Sequence, residues 1–280
     1  MRGVLLGTAA LMLTASMSPA QDGTRTIAVA SGARISIRSA VGPVSVTAWD
    51  RSEVAVSASG PSPHEYDLSG DARRVTIRAH QSAPLQVRVP RDALLNVQTG
   101  AGPIMIRGVT RTIEAESGSG SVRIEAKAQS ITATGFSGGV VIVGGGSEVT
   151  RAESASGSVV ITDATGVVDA SSSSGSVRLS GQVTDARLFS VSGSVSFEGT
   201  VESGGRLTAE TSSGSVMLRL PASTSAEFEL STVTGRITNS FGPRREHTST
   251  VGARLRFVVG SGAARIKGST VSGSVSLRDR

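Results

Sequence analysis

The sequence contains no cysteine. That excludes a disulfide framework, thiolate metal sites, a cysteine nucleophile and a lipidated N-terminal cysteine. Aromatic residues make up 3% of the 280 positions, too few large rings to fill a thick globular interior. Lysine occurs only at 127 and 267, so the positive charge is carried by arginine, which is scattered apart from the doublets Arg73-Arg74 and Arg244-Arg245. Hydrophobic residues are 38% and the formal net charge is +6. This is not a disordered chain, because Val, Ile and Leu recur at regular spacing. A thin fold of small residues or an extended repeat remains.

At the N-terminus, Arg2 precedes an apolar stretch over 4–13, and Ser18-Pro19-Ala20 precedes Gln21. This is the pattern of a secretory signal peptide cleaved after Ala20. The stretch is shorter than the ~18–20 residues needed to span a bilayer. Residues 1–20 are therefore expected to be removed. The mature chain is expected in the periplasm or at the cell surface, without a transmembrane segment.

A phrase close to Ser-Gly-Ser-Val recurs, as in Ser119-Gly120-Ser121-Val122, Ser156-Gly157-Ser158-Val159 and Ser272-Gly273-Ser274-Val275. Its glycines stand at 102, 120, 138, 157, 175, 193, 214, 235 and 273, in steps of 18, 18, 19, 18, 18, 21, 21 and 38. A fixed period near 20 marks a solenoid. Apolar residues fall two and four places after each glycine (Val122 and Ile124, Val177 and Leu179, Val216 and Leu218). A second alternating pair follows, such as Ile113 with Ala115 and Ile131 with Ala133. In the longer units it moves to Leu207 with Ala209 and Phe228 with Leu230, which places the extra residues in the connecting loop. Period-2 alternation means half-buried strands. The expected fold is all-β: a single-stack β-solenoid, or β-helix, of about 18–21-residue coils with two short strands per coil. The repeated glycine is expected to supply a positive φ at the corner.

Residues 21–100 read as degenerate coils and an N-terminal cap, with a loop over 61–72. Residues 101–280 read as the regular coils. Arg278-Asp279-Arg280 would then protect the last strand as an open edge.

Three phrases carry a resemblance: Thr47-Ala48-Trp49-Asp50-Arg51-Ser52-Glu53-Val54, Val89-Pro90-Arg91-Asp92-Ala93-Leu94-Leu95 running on to Gly100, and Ser269-Thr270-Val271 running on to Arg278. With the Ser-Gly-Ser-Val phrases they resemble the bacterial putative-adhesin family, a domain of unknown function with a toast-rack-like β-solenoid, over about residues 25–280. The resemblance implies export and an envelope setting, often near envelope-stress systems, and no catalytic residues. Relatives often carry Asp where this chain has Ser121, Ser158, Ser176, Ser194, Ser215 and Ser274, a departure that removes an acidic ladder.

Other chemistry is sparse. Gly135-Phe136-Ser137-Gly138-Gly139 fits the G-x-S-x-G pattern but stands in phase with the repeat, where a corner turn is expected instead of a nucleophile elbow. His64, His80 and His247 have no ligand spacing, so no metal or other cofactor is expected. Glu114 and Glu116 share a strand face. Two such carboxylates serve glycoside hydrolysis when they flank a substrate; here solvated strand positions are expected. The aromatics do not interleave with arginine clusters, so nucleic acid is not an expected partner.

The position three places after each glycine points outward. It reads Met105, Arg123, Val141, Val160, Arg178, Ser196, Met217. Stacked coil on coil, these form a partly apolar candidate interaction stripe. The reading is an exported, non-enzymatic, adhesin-like binding or scaffolding module of the cell envelope. Its expected partner is an envelope or cell-surface protein or an anionic glycan, with self-association open. The alternatives are a polysaccharide-active β-helix enzyme and an accessory protein of envelope-stress sensing.

Overall fold

The computed structural model describes residues 24–59, 66–80, 82–144, 146–242 and 252–280. Residues 1–20, expected as a signal peptide, and His64 and His247 lie outside the described residues. Every regular element among the described residues is a strand. In chain order these are β1 Arg25–Ala28, β2 Arg34–Val41, β3 Val44–Trp49, β4 Glu53–Ala58, β5 Tyr66–Gly70 and β6 Arg74–Ala79. Next come β7 Leu85–Pro90, β8 Leu94–Ala101, β9 Ile104–Arg107, β10 Thr112–Ser117, β11 Val122–Glu125 and β12 Ala128–Gly135. The middle holds β13 Val140–Val143, β14 Gly146–Ser154, β15 Val159–Ser172, β16 Val177–Ser190 and β17 Val195–Ser213. The chain closes with β18 Val216–Leu220, β19 Ala226–Thr234, β20 Ile237–Asn239, β21 Ala253–Val259, β22 Ala264–Ser272 and β23 Val275–Asp279.

The expected solenoid is present, with two parallel walls. The first wall runs β7-β3-β9-β11-β13, through the opening residues of β15, β16 and β17, to β18-β23-β20. The second runs β6-β2-β8-β10-β12-β14, through the closing residues of the same three strands, to β22-β19. Alternation turns Val122, Ile124, Val159, Ile161, Val195 and Phe197 inward from the first wall, all 0% exposed. Ile131, Ala133, Ala170, Leu188, Leu207 and Phe228 face them from the second, also at 0%. The inserted residues of the longer units fall where expected: Val183 pairs with Val201, but Asp185 pairs with Arg206.

Three coils depart from two short strands apiece. β15, β16 and β17 run unbroken from one wall to the other. The bend in β15 is made at Asp163, whose φ is +55° and where the register with β16 shifts. Such a bulge turns a strand without ending it.

The order of coils is not the order of sequence. The coil β6–β7 lies outside β2–β3, so the first coil of the chain is second in the stack. At the other end β22–β23 is wedged between β17–β18 and β19–β20, so the last coil is second from the end. This corrects two expectations. The 38-residue step, about two periods long and so expected as two coils stacked in turn, is not that, and Arg278-Asp279 ends an interior strand, not an open edge. Within 61–72, expected as loop, Tyr66–Gly70 is a strand antiparallel to β6, with Tyr66 and Leu68 turned inward. Antiparallel strands extend the walls at both ends: β4 and β1 beyond β7, and β21 beyond β19.

Large rings collect at these ends. Phe228 stacks on Phe257 at 5.0 Å and meets Phe241 at 5.6 Å. At the opposite end the buried Tyr66 hydroxyl donates to the carbonyl of Val56 at 2.8 Å. Between the walls the narrow coil favours Val, Ile, Leu and Ala.

The corner is built more tightly than the phrase Ser-Gly-Ser-Val suggests. At Gly120, Gly138, Gly175 and Gly193 a Cβ would stand 1.9–2.1 Å from the carbonyl oxygen of the glycine one coil away. Close approach, not positive φ, excludes a side chain at these four. A buried hydroxyl stands three residues before most of the glycines. Ser190 accepts the N–H of Gly193 at 2.8 Å and donates to the carbonyl of Gly175 at 2.9 Å. Ser117, Ser154 and Ser172 repeat the pattern. Thr211, Thr232 and Thr270 also donate to glycine carbonyls of the neighbouring coil. The column thus satisfies backbone groups that the turn removes from water.

Candidate functional site

Parallel, in-register pairing brings the predicted stripe together. Met105 pairs with Arg123, Arg123 with Val141, Val141 with Val160, Val160 with Arg178, Arg178 with Ser196 and Ser196 with Met217. Six strand spacings give the row a length of about 29 Å. All these residues are on the outer side of the first wall, because their neighbours along each strand are buried.

The row is uneven. Arg123 and Arg178 are exposed, whereas Met105, Val141, Val160, Ser196 and Met217 are half-buried. Val143, beside Val141, extends the apolar centre. Arg123 is held by Glu125 at 2.7 Å, and Arg107 reaches the same carboxylate at 3.0 Å. The two guanidiniums, Arg123 first, hold the Glu125 carboxyl below the usual carboxylate range. Among the described residues Arg178 makes no ion pair within 4.0 Å; it lies next to Val160.

Glu114 and Glu116 do share one exposed face of β10, as expected. Glu114 accepts from the Asn96 amide at 2.7 Å, and Glu116 from the Gln98 amide at 3.4 Å. They join a side-chain ladder across neighbouring strands and do not face each other over a cleft. Ser137, Gly138 and Gly139 occupy the corner, with Gly138 stacked on Gly120. His80 contacts Asp67 at 2.7 Å. No group of three or more His, Asp or Glu side chains among the described residues is placed to hold a metal.

The phrases that carried the resemblance have structural duties. Trp49 donates its indole N–H to the carbonyl of Glu53 at 2.9 Å, and its ring lies against Arg51 and Arg88. Asp50 binds Arg91 at 2.5 Å, tying the first phrase to the second.

A corner ridge was not anticipated. The residue directly after the buried hydroxyl position faces solvent, and several of these are apolar: Phe136 is 67% exposed and Val271 53%. Phe136 and Phe189 flank a shallow groove of about 320 Å³ floored by Ser171, Ser172 and Ser173. Ser/Thr-x-x-Gly is the signal that locates most of this ridge in sequence; before Phe136 the hydroxyl position is held by Gly135.

No helix among the described residues is long and apolar enough to cross a membrane. No curated protein matches the chain. Among solved structures, a putative adhesin from Bacteroides fragilis aligns with TM-score 0.45 and 13% identity, covering 92% of this chain and 96% of that one. A putative cell adhesion protein from Clostridium sporogenes aligns with TM-score 0.27 and 8% identity, covering 92% and 99%. The family model described as Toastrack DUF4097 matches residues 33–278, nearly the whole two-walled stack, and the chain belongs to that family.

Proposed function

We propose that the protein is an exported, non-enzymatic binding or scaffolding module of the cell envelope. It works through the outer side of its first wall, where the stripe from Met105 to Met217 meets an envelope protein. The carrying observation is the row of half-buried Val141, Val160 and Met217 interrupted by exposed Arg123 and Arg178, all on adjacent strands. A flat row with an apolar centre and charged flanks suits a protein interface, which buries apolar area centrally and keeps charge at its rim. The open outer faces and the tethered Glu114 and Glu116 support binding over catalysis.

The test is retention of the mature chain on isolated envelope fractions. Arg178→Glu is the cleaner variant, because Arg123 is already tied to Glu125. Retention is expected to fall several-fold for Arg178→Glu and further for Arg123→Glu/Arg178→Glu. Unchanged retention of both variants would reject this face.

A further inference from the structure

The second wall breaks its own charge rule at one end. Along most of its outer face, charged residues on neighbouring strands have opposite sign. Arg151 pairs with Asp169, Asp169 with Arg187, Asp185 with Arg206, and Glu229 with both Lys267 and Arg256. Where β2 meets β6, Arg34 lies opposite Arg74 and Arg38 opposite Arg78. Like charges directly opposite each other destabilise a sheet. Two other arginine pairs have a carboxylate beside them. Arg206–Arg265 lies between Asp185 and Glu227, and Arg219–Arg278 has Glu198 within 3.7 Å of Arg219.

The β2–β6 array has no such relief. On its inner flank Arg34 and Arg38 meet Leu94 and Gln98. On its outer flank Asp67 lies opposite Arg78 but is bonded to His80. Asp71 is engaged by the backbone N–H groups of Arg73 and Arg74. Arg34, Arg38, Arg74 and Arg78 are all exposed, and none makes an ion pair within 4.0 Å among the described residues. An open groove of about 660 Å³ lies beside the second pair, lined by Arg38, Arg78, His80, Gln98 and Glu116.

We propose that this four-arginine array and its groove bind an acidic polysaccharide. Each cross-strand pair sets two guanidinium forks side by side, a geometry that matches a carboxylate. The two pairs are four residues apart along the strand, about 13 Å, so they engage two separated charges of one extended chain and not adjacent ones. The flat, open surface suits a polymer lying across it. Nucleic acid fits less well, because Tyr66 of β5 is 5% exposed and the His80 ring is held by Asp67, which leaves neither as an open stacking platform. A lipid surface fits less well too: Val41, 50% exposed, is the single large apolar residue of β2 open to solvent, too little for insertion. This site is on the opposite wall from the stripe and goes beyond the protein-binding role proposed above.

The experiment measures binding of the mature chain to polygalacturonate at low ionic strength, where surface electrostatics is least screened. Neutral dextran, an oligodeoxynucleotide and phosphatidylglycerol vesicles are run beside it. Arg38→Gln/Arg78→Gln is expected to weaken polygalacturonate binding at least tenfold, and Arg34→Gln/Arg74→Gln to weaken it as well. Arg123→Gln/Arg178→Gln removes the same charge from the other wall and is expected to bind like the parent, which separates this site from the stripe. All six positions are exposed or carry exposed guanidiniums, and thermal melts confirm that each variant is folded. Undiminished binding by Arg38→Gln/Arg78→Gln, or equal binding to dextran, overturns the proposal. So does tighter, array-dependent binding to the oligonucleotide or the vesicles at matched charge concentration.

Discussion

The buried hydroxyls at the corner hold the coil where it is least able to relax. Ser190 is 0% exposed and joins the Gly193 N–H to the Gly175 carbonyl. Ser190→Ala leaves both backbone groups buried and unpaired, and should cost about 1–3 kcal/mol. Thr99 occupies the equivalent place three before Gly102, but its buried hydroxyl has no partner among the described residues. Thr99→Val should therefore be close to neutral. Equilibrium denaturation of the two variants compares them directly, and equal losses would contradict the role given to the column. Acid sensitivity also originates in individual residues. Arg256 holds the Glu227 carboxyl low, Lys267 does so for Glu210, and Arg123 and Arg107 do so for Glu125. In each case the folded pKa lies below the unfolded one, so between the two values the unfolded chain binds more protons. The stabilisation is present above the ordinary carboxylate range and is lost as pH falls through the folded values. The melting temperature should drop between about pH 6 and pH 3, and Glu227→Gln should flatten that drop.

Single strands show how far the sequence was readable. The alternating pairs located both walls and the loop that absorbs the longer units, because a one-residue slip would turn every apolar side chain to solvent. The 19-residue unit is instructive: Val149 is 39% exposed while Thr150 is buried at 0%, so one extra residue exchanged the faces against hydropathy. The unbroken run of β15 through Asp163 was not legible, since a bulge residue in the left-handed region has no apolar period to announce it. Left-handed backbone costs a non-glycine residue roughly 1–2 kcal/mol, and glycine returns part of any gain through its freer unfolded chain. Asp163→Gly should therefore stabilise the protein by about 0.5–1 kcal/mol in denaturant titrations. A loss of stability would show that the Asp163 side chain contributes something beyond the bend. The row from Met105 to Met217 was legible because parallel register converts a repeat phase into spatial neighbours. The arginine array was not, because residues 21–100 lack the regular glycine phase that fixes register further along, so the sequence does not set Arg34 opposite Arg74.

That exchange governs the molecule as a whole. Each coil offers its neighbours the same alternation of Val, Ile and Leu, and a parallel pair needs only matching alternation, so strand patterns cannot say which coil lies next to which. The exchanged ends change how the stack should respond to shortening. In a simple solenoid, removal of the final repeat leaves the remainder capped by its predecessor. Here, truncation after Gly242 withdraws β21, β22 and β23, and with them every partner of β19 and β20. The shortened chain should lose amide protection across Ala226–Thr234 and Ile237–Asn239, and weaken it in the closing residues of β17. Hydrogen exchange with peptide resolution measures this. Persistent protection in β19 would mean that it can re-pair directly with β17.

The same interlock bears on how such a protein changes length during evolution. A duplicated coil appended at either terminus would find its docking place already filled, by the following coil at one end and by the preceding coil at the other. One inserted between Gly120 and Gly193 meets an unaltered neighbour above and below. Growth is thereby confined to the midsection, while the two clasped ends are inherited intact.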